Sequence, residues 1–89
     1  MPTLNVINLD TAALEIAIWD KTTTQAADPP TYDDWFNPDD TKPYAIADIG
    51  GGKGNVQIYA RRNAGNPWTS VENDYVFSDG DPAYGVDII

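Results

Sequence analysis

The sequence predicts an all-β protein: a small antiparallel β-sandwich, or a partly open barrel, of about six strands. Three observations point there. Apolar residues recur at every second position in several short runs, which is the period of a half-buried strand. Clusters of glycine, proline, asparagine and aspartate interrupt those runs at close intervals. No segment combines a helical repeat with caps and enough length to make a helix.

The elements follow in order. TLNVINL (3–9) is rich in branched apolar residues and ends at a short break, DTA. ALEIAIWD (13–20) alternates, with Leu14, Ile16 and Ile18 on one face and Glu15, Ala17 and Trp19 on the other. These two strands are expected to pair as a hairpin. Residues 20–42 show no periodicity and are expected to form one long loop, a length that in a compact domain usually carries function or disorder. YAIADI (44–49) and VQIYARR (56–62) bracket a glycine-rich stretch and read as a second hairpin, with Gln57, Tyr59 and Arg61 on its polar face. SVENDYVFS (70–78) alternates again, Pro82 stops any strand from running through 79–85, and VDII (86–89) closes the chain as a short strand. Trp19 and Phe77 are expected in the core. One domain, 1–89, accounts for the length.

Composition limits the chemistry. The chain has no cysteine, hence neither disulfides nor thiolate metal sites, and no histidine, hence no imidazole base, ligand or near-neutral switch. A net charge of −9 argues against nucleic acid and anionic membrane as partners. Twelve of the fourteen acids are aspartates, a residue that prefers turns and oxygen-ligand sites over helical surfaces. The N-terminal MPTLNVINLD lacks the pattern of a signal peptide, and the longest apolar stretch, 12–19, is too short to cross a bilayer. The expectation is a soluble chain, with the cytoplasm as its default compartment.

Four motifs invite a function. GGGKG (50–54) resembles a phosphate loop, but Lys53 is followed by Gly54, Asn55 and a strand, not by Ser or Thr and a helix, so a turn is the better reading. Asp74, Asp79, Asp81 and Asp87 lie close in sequence and are the candidate ligands for a loop calcium ion, the one cofactor the composition suggests. The spacing is not that of an EF-hand; local turn chemistry explains Asp79-Gly80-Asp81 equally well. The carboxylate pairs Asp33/Asp34, Asp39/Asp40 and Asp79/Asp81 could serve acid–base chemistry, but a core this small rarely shapes the cleft such chemistry needs, and no enzymatic activity is expected.

The fourth motif is DPPTYDDWFNPDD (28–40), where three aromatic rings sit among five aspartates. Rings flanked by carboxylates and amides suit sugars: a pyranose stacks on the ring and its hydroxyls bond the polar groups. The expected ligand-binding set is Tyr32, Asp33, Asp34, Trp35, Asn37, Tyr59, Arg61 and Trp68, in a non-enzymatic carbohydrate-binding or lectin-like domain. Alternatively Trp35 and Phe36 fold back as a lid on the core. The competing function is an acidic protein-interaction module, an inhibitor, assembly subunit or decoy steered toward a basic partner. Under either function the terminal strand at a sheet edge suggests a homo-oligomer, a dimer in the simplest case.

Overall fold

The computed structural model describes residues 1–25 and 27–88. It contains seven strands and no helix among the described residues: β1 (Thr3–Asn8), β2 (Leu14–Asp20), β3 (Tyr32–Phe36), β4 (Thr41–Ala45), β5 (Lys53–Arg61), β6 (Thr69–Ser78) and β7 (Tyr84–Val86). They form two sheets, one of order β4-β1-β7 and one of order β3-β2-β5-β6. All pairings are antiparallel except β1 with β7, which run parallel. The all-β sandwich is therefore as expected, with one strand more and one parallel pair.

Alternation explains the two central strands and the interior. In β1 every second residue, Leu4, Val6 and Asn8, is buried. In β5 Gly54, Val56, Ile58 and Ala60 point inward while Asn55, Gln57, Tyr59 and Arg61 point out. Leu14, Ile16 and Ile18 of β2 complete the inner face of the larger sheet. They meet Leu4, Val6, Tyr44, Ile46 and Val86 across the sandwich, with Phe36 and Phe77 filling its sides. Trp19 and Phe77 are buried, as expected.

Three expectations about connectivity are corrected. The stretch 20–42 is not one loop: β3 lies inside it and β4 begins at Thr41. The strand was hidden because its inward positions are Tyr32, Asp34 and Phe36, so an acid interrupts the apolar row. Asp34 is tolerated there because Tyr44 donates its hydroxyl to Asp34 Oδ2 at 2.6 Å. Nor do β1 and β2 form a hairpin, since they belong to opposite sheets. The corner between them is fixed by buried Asn8, which accepts the Asp10 amide at 2.8 Å and donates to the carbonyls of Ala12 (3.0 Å) and Phe36 (3.3 Å). Asp10 extends the corner by taking both terminal nitrogens of Arg62 at 3.1 Å and the Ile88 amide at 3.2 Å.

The second expected hairpin fails in the same way. β4 and β5 also lie in opposite sheets, and the glycine stretch turns the chain from one layer to the other. Gly50, Gly51 and Gly52 all hold positive φ (120°, 68° and 74°), a run that only glycine adopts without strain. The buried carboxylate of Asp20 anchors this corner by accepting the Ala47 amide at 2.8 Å.

The terminal strand is shifted from the expected 86–89 to Tyr84–Val86. β7 is an edge strand of the smaller sheet, and Ile88 packs against the core. Ile89 lies outside the described residues. At the other edge of that sheet β4 carries Pro43 and Lys42, both of which discourage strand addition.

Candidate functional site

The outer face of the larger sheet carries the densest array of aromatic and charged side chains, and strand register assembles it. Glu15 on β2 pairs with Trp35 on β3 and with Arg61 on β5, so these three lie in one row across the sheet. Ala17 pairs with Asp33 and with Tyr59, forming the next row. Trp19 follows opposite Gln57. Trp35 and Arg61 are two strand spacings apart, roughly 10 Å.

Each group is held. Arg61 donates Nε to Glu15 Oε1 at 2.7 Å and Nη1 to the Asn66 carbonyl at 3.1 Å. Its guanidinium carbon lies over the Trp68 ring, 3.9 Å from the centroid. Trp68 in turn meets Trp19 edge-on at 6.3 Å, and Trp19 meets Tyr59 at 5.1 Å. The indole of Trp19 donates to the Asp28 carbonyl at 2.7 Å, and Trp19 is only 5% exposed. On β6, register shifts opposite Val56–Tyr59 turn Asn73 toward this face, where its Oδ1 accepts from Ser70 (2.8 Å) and Tyr59 (3.4 Å). Bulges of this kind re-aim side chains at sheet edges.

Trp35 is the exception to this interlocking. It is 48% exposed, with an open ring at the edge of the platform. The lid reading therefore splits: Phe36 is fully buried beneath the sheet while Trp35, one residue earlier, faces water.

The two carboxyls beside Trp35 have opposite electrostatics. The hydrogen bond from Arg61 holds Glu15 below the usual glutamate range, with partial burial opposing it. Asp33 is pushed up to about 6, first by loss of hydration on the sheet face, then by the hydrogen bond and charge of Glu15. Arg61 offsets only part of this.

The expected ligand-binding set is thus divided. Asp33, Trp35, Tyr59, Arg61 and Trp68 come together on the outer face. Tyr32 and Asp34 point to the other side of β3, where Tyr32 packs on Tyr44 at 4.8 Å and donates to the Ala45 carbonyl at 2.7 Å. Asn37 sits in the β3–β4 turn, with its amide donating to Asp40 Oδ2 at 2.8 Å. Trp68 is present but its ring face is covered by Arg61, so it does not offer the open stacking surface expected of it. Glu15 was missed. Its signal lay in the alternation of β2, which places it on the same face as Trp19, but nothing local gave its partner across β5.

The four calcium candidates do not converge. Among the described residues no group of three or more acidic side chains is arranged to hold a metal ion. Asp74 pairs with Lys21 at 3.1 Å, and that contact leads the interactions that hold its carboxyl low. Asp79 accepts the amide of Thr3, at the far end of the chain, at 2.9 Å, and Asp81 accepts the Ser78 amide at 2.9 Å, the local turn chemistry of aspartate. Asp87 lies just beyond β7, on the smaller sheet.

No protein-family model matches the chain, and neither the curated proteins nor the solved structures compared with it give a match. Function must therefore be argued from the face itself. In addition, no helix among the described residues is long and apolar enough to cross a membrane.

Proposed function

We propose that the chain is a non-enzymatic carbohydrate-binding module that holds a sugar flat against the β3-β2-β5-β6 sheet. The observation that carries this reading is the row Trp35–Glu15–Arg61, in which an open indole adjoins fixed carboxylate and guanidinium groups. A pyranose stacked on Trp35 would set its hydroxyls over Glu15 and Asp33, and the next ring along an oligosaccharide would reach Arg61. Pre-positioned polar groups lower the ordering cost of binding. With a single open ring, worth on the order of 1 kcal/mol beyond its burial, each site is weak, with Kd on the order of 1 mM. Useful avidity would come from several copies on one surface.

A glycan array probed with the chain displayed multivalently tests this. Binding that disappears in Trp35→Ala supports it. A blank array with a correctly folded, multivalent chain overturns it.

The charge distribution favours one other reading, an acidic module for a basic protein partner. Of the five cationic residues in the sequence, Lys21, Arg61 and Arg62 are tied to acids within the fold, leaving the surface potential strongly negative. Binding of that kind would weaken steeply between low and high salt and would survive Trp35→Ala.

A further inference from the structure

We infer that the sugar taken by this face is cationic: an oligomer of 2-amino sugars whose ammonium group sits between the Trp35 ring and the Glu15 and Asp33 carboxyls. This rests on the carbohydrate reading above and names its ligand class. The argument is one of uncompensated charge at a fixed geometry. Glu15 and Asp33 are diagonal neighbours on one sheet face, and Trp35 lies directly across from Glu15. The cation that reaches them, Arg61, is already engaged. Its Nε bonds Glu15, its Nη1 bonds the Asn66 carbonyl, and its central carbon lies over the Trp68 ring.

One guanidinium therefore serves two carboxyls, and with both ionised the trio carries a net charge of about −1. The ion pairs among the described residues include Glu15 and not Asp33. The upward shift of Asp33 is the same shortfall seen from the proton's side. A neutral hydroxyl placed here accepts or donates a hydrogen bond without relieving it. An ammonium supplies the missing charge, donates to both carboxyls, and has the half-exposed indole of Trp35 beside it for a cation–π contact. The remaining acids of the chain draw such a ligand in rather than repelling it.

The test compares three β-linked tetrasaccharides by isothermal titration calorimetry at pH 6.5 and low salt: the glucosamine tetramer, its fully N-acetylated form and the glucose tetramer. A tetralysine peptide is run alongside. The glucosamine tetramer is expected to bind about tenfold tighter than either neutral tetramer, the size of one good charge-assisted contact. Asp33→Asn should cut that preference to less than about threefold. Equal affinity for all three tetramers overturns the ammonium assignment and leaves the carbohydrate reading standing. A preference undiminished in a folded Asp33→Asn variant overturns the role given to the carboxyl pair. Silence with every tetramer overturns the carbohydrate reading and this inference with it, and binding of tetralysine alone identifies the basic-partner reading instead.

Discussion

Gly54 tests the spacing between the two layers. It is an inward position of β5, and a Cβ added there would lie 2.6 and 2.7 Å from Cε1 and Cζ of Phe77 and 2.9 Å from Cγ2 of Ile46. Favourable carbon contacts begin near 3.5 Å, so the ring must move by roughly 1 Å. It has little room to do so. Phe77 is 2% exposed, stacks against Tyr75 at 6.2 Å and closes one side of the core, so it cannot swing into water. Ile46, fully buried, blocks the opposite direction. Overpacking of this kind costs about 1–3 kcal/mol, which in a domain of this size lowers Tm by roughly 5–20 °C. Gly85→Ala is the internal control. Its added methyl meets only the side chain of Leu9, which is more than half exposed and can rotate away, so Tm should move by no more than about 2 °C. Thermal melts followed by near-ultraviolet circular dichroism give both values. The double variant Gly54→Ala/Phe77→Leu should recover at least about 1 kcal/mol relative to the sum of the singles, because the smaller side chain vacates the contested space. If Gly54→Ala melts with the parent protein, or if the pair is additive, the packing drawn between β5, β6 and the 46–49 segment is wrong.

Asn8→Ala should destabilise the chain by about 3 kcal/mol, since it strands the Asp10 amide and the Ala12 and Phe36 carbonyls at a buried corner; urea titration reads this directly. Trp35→Ala should leave Tm within about 2 °C of the parent, because the ring is half exposed, while abolishing sugar binding; a large drop in Tm would mean that Trp35 is a structural lid after all. Asp33 should make its own mark on the pH profile. Its carboxyl titrates near 6 in the folded chain and near 4 unfolded, so the folded state holds the extra proton, and the stability this gives is complete below pH 4 and lost as pH rises through 6. Two units correspond to a ceiling of about 3 kcal/mol, which solvent screening at so open a site reduces to about 1. The stability of the parent relative to Asp33→Asn should therefore fall by that amount between pH 4.5 and 7, and a difference that stays flat or rises would refute the pairing with Glu15.

What the sequence conveyed was decided by whether a feature is local. The strands β1, β2 and β5 announce themselves through alternation, because each buries one face against a continuous apolar layer, whereas β6 alternates in sequence but buries only Phe77 and is shifted in register. β3 does not, since Asp34 occupies an inward position at a sheet edge and is made tolerable only by Tyr44, ten residues away. Pairing was less legible still. Chain proximity suggests hairpins, but Asn8 at one corner and the three positive-φ glycines at the other turn the chain into the opposite layer. Those residues were visible in the sequence. Their effect depends on what lies across the core, which one strand cannot encode.

The candidate site follows the same logic and explains why it was only half foreseen. The outward-facing members Asp33, Trp35, Tyr59 and Arg61 could be picked by residue type. Their grouping required the register that sets β2 between β3 and β5, and that register makes Glu15 the hub. A hub of this kind has a structural consequence: the outer face of a sheet without a covering layer is stiffened from within. Arg61 links Glu15 to Trp68, Trp68 leans on Trp19, and Trp19 holds the Asp28 carbonyl. Every ring in this chain of contacts is used in holding another group. Trp35 lies outside it, on the far side of Glu15, with nothing in that chain resting on its open face. A surface in which all aromatics but one are mutually braced, with the remaining ring open beside an under-neutralised carboxyl pair, separates scaffold from recognition element within a single sheet face. That separation is why substitution at Trp35 and at Trp68 should have different outcomes: the first removes ligand and spares the fold, while the second frees Arg61, uncovers Trp19 and weakens both.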